Sequence, residues 1–137
     1  MIIGIGSDLV DINRIAAVYQ KHGQRFIKRI LTPNEIEVAH QRKQNKGQDE
    51  FLAYLAKRWA AKEACAKAMG TGLVTQGITF QDFETSHSAK GQPKMKVMAA
   101  AKKQLLEMTP EGQHAKIHLS LSDDLPMAQA FVVLEAY

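Results

Sequence analysis

The spacing of apolar and polar residues predicts helices in the first half of the chain. The apolar run Ile2–Ile5 predicts a short strand before them. Asp11 is a typical helix cap, and the apolar residues after it recur at helical spacing, so a helix is expected to end near Gly23. A short basic amphipathic segment, residues 24–31, follows.

Two further helix starts stand out. Thr32-Pro33-Asn34-Glu35 combines the residues of a capping box with proline at the first helical position, so a helix should begin there. Residues 41–48 are polar and are expected to form a loop. The strongest predicted helix is Asp49–Met69, which is rich in Ala, Leu and Lys and is closed by Gly70.

After Gly70 the pattern changes toward strands. We predict a strand at 78–83, a turn at 90–93 and a short helix at 96–108. Residues 117–121 alternate between apolar and polar, as in a half-buried strand, and 128–136 is its expected hairpin partner. The fold class is therefore α+β: an N-terminal strand and helices followed by antiparallel strands.

Composition narrows the class of protein. The chain has 137 residues, 45% hydrophobic and 23% charged, which favours one globular domain over 1–137 and argues against disorder. No run approaches the roughly 20 apolar residues of a membrane helix, and no secretion signal is apparent. The lone Cys65 excludes an internal disulfide and a cysteine-built zinc site. We expect a cytoplasmic protein with no membrane contact.

The net charge of +4 is unevenly placed. The segment from Arg14 to Arg29 holds five basic residues and no acidic one. This cluster would create a local positive electrostatic field that attracts anions. An ordinary solvated helix face would look the same in the sequence. The five residues are Arg14, Lys21, Arg25, Lys28 and Arg29.

The first candidate for chemistry is Asp8, at the end of Gly4-Ile5-Gly6-Ser7-Asp8. Glycines permit a sharp turn, which would place Asp8 where the chain leaves the sheet. A carboxylate there suits Mg²⁺, a hard cation that prefers oxygen ligands. The alternative is a turn aspartate that caps the next helix.

The second candidate lies on the strongest helix, in Arg58-Trp59-Ala60-Ala61-Lys62-Glu63-Ala64 with Lys67 one turn later. Glu63 and Lys67 are four residues apart and share a helix face, so a surface ion pair is one explanation. The small alanines beside these charges leave room for a ligand. The N–H groups of the Gly70-Thr71-Gly72 turn could hold phosphate oxygens, although no P-loop spacing is present.

Other polar candidates are weaker. His118, Ser120 and Ser122 lie on the polar side of a predicted strand, where solvated side chains are common. No Gly-x-Ser-x-Gly elbow supports a nucleophilic serine. Cys65 among alanines is best explained as a small buried hydrophobe.

Together these motifs resemble the holo-[acyl-carrier-protein] synthase family, and the resemblance covers essentially the whole chain. Its most specific part is the pairing of the Gly-x-Asp and Trp-x-x-Lys-Glu-Ala motifs. At Asp123 many members have histidine, so no role of that histidine is carried over. The resembling segments are Ile3-Gly4-Ile5-Gly6-Ser7-Asp8-Leu9-Val10-Asp11-Ile12, Arg25-Phe26, Leu31-Thr32-Pro33-Asn34-Glu35, Arg58 to Ala64 with Lys67, Gly70-Thr71-Gly72, Phe80-Gln81-Asp82-Phe83, Gly91-Gln92-Pro93 and His118-Leu119-Ser120-Leu121-Ser122.

The resemblance implies a 4′-phosphopantetheinyl transferase fold and transfer of the 4′-phosphopantetheine arm of coenzyme A to a serine of apo acyl carrier protein. It implies Asp8 and Glu63 as Mg²⁺ ligands, with Lys67 as a further catalytic residue. Glu63, a metal-bound water and Glu35 remain alternatives for the general base. The residues implied in binding coenzyme A are Lys62, Lys67, Gly70, Thr71, Gly72 and His118.

The resemblance also gives the basic segment a partner. Acyl carrier proteins are acidic, so the five basic residues are expected to form the docking face, with Phe26 as an apolar anchor among them. A homotrimer with active sites between subunits is implied as well. The competing hypotheses are another Mg²⁺-dependent phosphotransferase or hydrolase, and a basic nucleic-acid module. The 7% aromatic content, with no stacking platform, disfavours nucleic acid as a partner.

Overall fold

A computed structural model describes all residues from Met1 to Tyr137. Its central feature is a three-stranded antiparallel sheet in the order β1-β5-β4, against which the long helix α4 packs. A two-stranded hairpin, β2-β3, forms a second sheet, whose strand β3 packs near β4. The strands are β1 (Ile2–Asp11), β2 (Phe83–His87), β3 (Pro93–Val97), β4 (Ala115–Asp124) and β5 (Met127–Ala136). The helices are α1 (Ile12–His22), α2 (Gln24–Ile30), α3 (Pro33–Lys46), α4 (Gln48–Ala68) and α5 (Ala99–Met108).

The architecture confirms the predicted α+β class, and the alternation of the late strands is confirmed in detail. On β5, Val132 and Leu134 are buried toward the core, whereas Phe131 is 47% exposed on the outer face. None of the helices combines the length and hydropathy that a membrane crossing requires.

Backbone contact between β1 and α4 fixes the position of the first strand. A Cβ atom placed on Gly4 would lie 2.2 Å from the carbonyl oxygen of Ala68, and one on Gly6 would lie 2.0 Å from that of Ala64. No side chain fits in that space. The two glycines therefore permit close packing within a strand rather than a turn, and β1 runs on past them to Asp11.

The predicted helix caps are confirmed. The Asp11 side chain accepts a hydrogen bond from the Asn13 N–H at 2.8 Å, and α1 stops at Gly23. At the start of α3, the Thr32 hydroxyl oxygen accepts from the Glu35 N–H, and Glu35 Oε1 accepts from the Thr32 N–H. These signals are local in sequence, which is why they could be found there.

The loop predicted at 41–48 is wrong, because α3 continues to Lys46 and only Gly47 separates it from α4. Gln, Arg and Lys are good helix formers, and cation–π contacts with α4 add to the stability of this polar segment. The Arg42 guanidinium lies 5.2 Å from the centre of the Tyr54 ring, and Lys43 Nζ lies 5.1 Å from that of Phe51.

The strand predicted at 78–83 is also wrong. Phe80–Asp82 forms a short 3-10 turn, and the strand begins only at Phe83. The buried Asp82 stabilises this turn, since its carboxylate accepts from the Thr79 hydroxyl at 3.2 Å and from the Ala101 N–H at 3.1 Å. The following helix starts at Ala99 rather than 96, because 96 and 97 belong to β3.

Candidate active site

Asp8 lies within β1, opposite Ala130 of β5, on the face of the sheet that packs against α4. The prediction that it stands where the chain leaves the sheet is wrong, because pairing continues for three more residues to Asp11. It does not cap the next helix either, since Asp11 does. Its side chain is 15% exposed, so one carboxylate borders both the core and the solvent.

Lys67 brings α4 to this carboxylate. Its Nζ lies 2.9 Å from Asp8 Oδ1 and 3.1 Å from the carbonyl oxygen of Ser7. Lys67 therefore pairs with Asp8 and not with Glu63, and this ion pair connects α4 to β1. Half of the Lys67 side chain remains exposed, so the ammonium is accessible to an anionic ligand.

Glu63, one turn before Lys67 on α4, is half-buried. Burial raises the pKa of its carboxyl group, and the negative charge of Asp8 raises it further. Lys67 and Arg14 act in the opposite direction. Glu63, Asp8, Lys67 and Arg14 therefore form one electrostatic cluster.

The two carboxylates of this cluster fit Mg²⁺ better than a metal that needs a complete protein cage. No group of three or more His, Cys, Asp or Glu side chains is placed to bind a metal. Mg²⁺ commonly takes one or two carboxylates and completes its shell with water and substrate phosphates. The two carboxylates also repel each other, since the charge of Asp8 raises the pKa of Glu63. A divalent cation between them would relieve that repulsion.

A cleft of about 390 Å³ opens next to Glu63, between α1, α2, α4 and the segment after α4. Phe26, Trp59 and Phe80 form one wall, with ring centres 6.0 Å apart for the first pair and 4.7 Å for the second. Arg25, Arg29 and His22 also line it. Phe26 is only 7% exposed and lines the cleft, so its role as an apolar anchor for a partner stays a prediction. No motif in the sequence indicated this cleft.

Lys62 is not available to bind coenzyme A, and that prediction is corrected. It is fully buried, and Nζ donates to the Ile30 carbonyl at 2.6 Å, to Glu35 Oε1 at 2.6 Å and to the Phe80 carbonyl at 3.1 Å. Burial lowers the pKa of Lys62, while the Glu35 charge favours its protonated form. All three ammonium protons already have acceptors.

Glu35 is likewise removed from the candidates for the general base. It is 1% exposed, and Oε1 accepts from Lys62 and from the Thr32 N–H. Oε2 accepts from both the N–H and the hydroxyl of Thr85. This carboxylate joins α3, α4 and β2 and does not reach the opening beside Asp8.

The turn after α4 differs from the predicted phosphate cradle. Its N–H groups point back to the helix: Gly70 donates to the Lys67 carbonyl, and Thr71 and Gly72 both donate to that of Ala66. Gly70 and Gly72 have φ values of 74° and 70°, which permit this reversal. Free N–H donors are absent here, so contact of this turn with coenzyme A stays a prediction.

His118 is not brought to Asp8. It lies on the outer face of the sheet, opposite Val133, and its Nε2 is 2.7 Å from Glu135 Oε2. Asp8 and Ala130 occupy the inner face. Within one copy of the chain, His118 therefore does not join the cluster, and its contact with coenzyme A stays a prediction.

The predicted basic face is present on α1 and α2. All five of its residues are exposed, and none forms an ion pair within the chain. Arg25 and Arg29 border the cleft, and Arg14 acts on Glu63. The basic face is thus continuous with the site. It consists of Arg14, Lys21, Arg25, Lys28 and Arg29.

Arg58, known in the sequence only as part of a motif, is an unusual core residue. It is 1% exposed and packs 4.3 Å from the centre of the Tyr54 ring, and its Nε and Nη1 have no hydrogen-bond partner. Burial raises the pKa of Tyr54 to about 12. Next to Arg58, Lys57 pairs with Asp123 at 3.0 Å, which gives this aspartate a structural partner.

This chain is similar to known proteins in both sequence and fold. A holo-[acyl-carrier-protein] synthase from Rhodopseudomonas palustris (strain BisA53) is 48% identical over 136 residues, 99% of this chain and 96% of the relative. The crystal structure of the synthase from Neisseria meningitidis superposes with a TM-score of 0.82 at 41% identity, covering 98% of this chain and 99% of that one. A synthase from Bacillus anthracis in complex with CoA (3′,5′-ADP) gives a TM-score of 0.76 at 36% identity, covering 98% and 97%.

The family model agrees with these likenesses. Residues 4–130 match the model of the 4′-phosphopantetheinyl transferase superfamily, a range that contains Asp8, Glu63 and Lys67. The resemblance drawn from the motifs is confirmed: the chain belongs to the 4′-phosphopantetheinyl transferase superfamily.

Proposed function

We propose that this chain is a holo-[acyl-carrier-protein] synthase. It moves 4′-phosphopantetheine from coenzyme A to a serine of apo acyl carrier protein and releases adenosine 3′,5′-bisphosphate, which supports fatty acid biosynthesis. The observation that carries this function is the electrostatic cluster of Asp8, Glu63 and Lys67, in a chain that matches synthases along nearly its whole length.

Attack of a hydroxyl on a diphosphate needs positioning and charge compensation more than a protein nucleophile. Asp8 and Glu63 would hold Mg²⁺, which offsets the negative charge of the diphosphate when bound. Lys67 is half-exposed, and its ammonium can exchange its contact with Asp8 for a phosphate oxygen. Glu63 or a water molecule would take the proton of the acceptor serine.

The carrier protein is proposed to dock on the basic face and to reach into the adjoining cleft. Five unpaired cations attract an acidic partner through the solvent. The aromatic wall formed by Phe26, Trp59 and Phe80 suits an apolar side chain of that partner. The cleft opens beside Glu63, so docking there would bring the acceptor serine toward the cluster.

Self-association is proposed for the outer face of the sheet. This face exposes Ile5, Leu9 and Phe131, at 62%, 61% and 47%. Apolar side chains grouped on one sheet face favour an interface. Ile5 and Phe131 border the same depression as Lys67, so a second copy seated there would help to form the site. A homotrimer with shared active sites, in which His118 comes from a neighbour, is the arrangement we propose.

Residues 1–137 are proposed to act as one catalytic domain in the cytoplasm. Cys65 is a free thiol, and burial raises its pKa to about 12. The thiol is therefore unreactive, and the protein needs no oxidising compartment.

The function is tested by incubating the purified protein with coenzyme A, Mg²⁺ and apo acyl carrier protein. Mass spectrometry should show the carrier gaining one phosphopantetheinyl group, and a carrier with its acceptor serine replaced by alanine should gain nothing. A chelator should stop the reaction, and added Mg²⁺ should restore it. An unmodified carrier, together with hydrolysis of another phosphate ester, would favour the competing phosphotransferase or hydrolase.

A further inference from the structure

Lys62 holds α4 from the side that faces away from β1. Its ammonium donates to the last turn of α2 through Ile30, to the start of the 3-10 turn through Phe80, and to Glu35 of α3. Ala64, which touches Gly6 of β1, is two residues further on and therefore about 200° around the helix. Helix α4 is thus clamped between a backbone contact on one side and one polar side chain on the other.

The residues of α4 next to this clamp are small. Ala60, Ala61 and Ala64 are fully buried and carry only methyl groups. Methyl groups interdigitate less than larger side chains do, so the directional contacts of Lys62 add to the packing of Arg58 and Trp59 in setting the axial position of this segment. Glu63 and Lys67, which must both face Asp8, are carried by this segment.

We propose that Lys62 is a positioning residue of the transferase site. Its three hydrogen bonds set the rotation and height of α4, and so the distances from Glu63 and Lys67 to Asp8. The Ile30 carbonyl ties the same segment to α2, which bears part of the basic docking face. This role rests on the proposed function, since it explains how the carboxylates are held ready for the metal. The alternative is that Lys62 only neutralises the buried charge of Glu35.

Two variants separate these roles. Lys62→Met keeps the length of the side chain and removes all three donors, but it leaves Glu35 unpaired. Lys62→Met/Glu35→Gln also removes that buried charge while keeping a side chain that can accept hydrogen bonds. Lys57→Met is the matched control, because it removes a lysine of the same helix that pairs only with Asp123 near the surface.

The main readout is binding of Mn²⁺, as a substitute for Mg²⁺, to the protein with coenzyme A present. Binding is measured by electron paramagnetic resonance as the decrease in the signal of free Mn²⁺. The measurement is made at a temperature below the melting temperature of each variant. We expect the Mn²⁺ dissociation constant to rise about 10-fold or more in both Lys62 variants, as is typical when a support of a metal ligand is lost. The transfer rate should fall with it, and Lys57→Met should bind Mn²⁺ as the unmodified protein does.

Normal Mn²⁺ binding by the folded double variant would overturn the proposal and leave Lys62 as a counter-charge for Glu35. If neither Lys62 variant shows a cooperative melt, the proposal is also wrong, because Lys62 then holds the fold rather than the site. Failure of the unmodified protein to modify the carrier would contradict the proposed function instead, and the Mn²⁺ comparison would still decide the role of Lys62.

Discussion

The ammonium of Lys67 lies between two acceptors, the Asp8 carboxylate and the Ser7 carbonyl, while half of its side chain remains in water. It is therefore oriented without being desolvated. If Lys67 binds a phosphate as proposed, the phosphate would meet an ammonium that is already oriented, so little ordering entropy would remain to be lost on binding.

Replacing Lys67 by alanine should reduce transfer by on the order of 10- to 1,000-fold, or roughly 1.4–4 kcal/mol of transition-state stabilisation. The half-exposed contact with Asp8 is worth at most about 1 kcal/mol to the fold, so the melting temperature should change little. Lys67→Arg should restore little activity, because a planar fork does not replace a compact charge. Steady-state kinetics beside a thermal melt test this, and normal turnover in Lys67→Ala would contradict it.

Glu63 links stability to pH in the direction opposite to a salt-bridged carboxylate. Its folded pKa is raised, so the folded state binds the proton more tightly, and ionisation costs stability as pH rises through that pKa. Glu63→Gln should therefore melt no lower than the unmodified protein at neutral pH, while losing metal-dependent transfer. In the unmodified enzyme, activity should fall on acidification at a pH above the ordinary glutamate range. A marked loss of stability in Glu63→Gln would contradict this assignment.

At the scale of elements, the site depends on the close approach of β1 and α4. Gly6→Ala would place a methyl group 2.0 Å from the Ala64 carbonyl oxygen and 2.7 Å from the Ala68 nitrogen. The backbones must separate, which typically costs about 1–3 kcal/mol. We expect a lower melting temperature and, in the folded enzyme, slower transfer because Asp8 moves away from Lys67. Ser7→Ala, an exposed neighbour on the same strand, is the control and should leave both unchanged.

Elements with local signals could be predicted, and those fixed by distant contacts could not. The Thr32 capping box and the alternation of β4 are visible within a few residues. At the end of α3, Arg42 and Lys43 pack on the rings of Tyr54 and Phe51 in the next helix, and the 3-10 turn depends on Asp82 reaching Ala101. The hydropathy of these segments does not indicate those contacts, because they arise when the helices pack.

The same distinction applies to the site. Helical spacing identified the shared face of Glu63 and Lys67, but it suggested that they pair with each other. Lys67 pairs instead with Asp8, which is remote in sequence. Lys62 and Glu35 show the reverse case: their charges suggested function, whereas burial assigns both to the interior. Burial of a charged residue is set by tertiary packing, and the amphipathic pattern gave no sign of it.

At the scale of the molecule, the basic face adjoins the site, because Arg25 and Arg29 line the same cleft as Glu63. Replacing Arg14 and Arg25 by glutamate should raise the apparent KM for carrier protein roughly tenfold and leave that for coenzyme A nearly unchanged. Added salt should imitate this effect in the unmodified enzyme. Lys102→Glu/Lys103→Glu makes the same charge change on α5 and should leave both constants alone. Insensitivity of carrier binding to both salt and substitution would exclude the basic face as the docking surface.

The apolar outer face of the sheet, which includes Phe131, is the proposed interface between copies of the chain. Phe131→Asp should shift the protein to a smaller species in sedimentation velocity, since a charge would be buried in the apolar interface. Leu106→Asp, at a 61% exposed apolar residue of α5, serves as the control and should not change the sedimentation coefficient. Identical sedimentation of Phe131→Asp and the unmodified protein would place the contact elsewhere.

The strand order β1-β5-β4 has a kinetic consequence. The hairpin of β4 and β5 closes through a short turn, whereas β1 must find β5 from the opposite end of the chain. Closing so long a loop is entropically costly, and pairings of this kind slow folding. We therefore expect β1 to join last on refolding, and Asp8 with it. Recovery of transfer activity should then lag behind the helical circular dichroism signal, so that a population of helical but inactive molecules exists transiently until the first strand is in place.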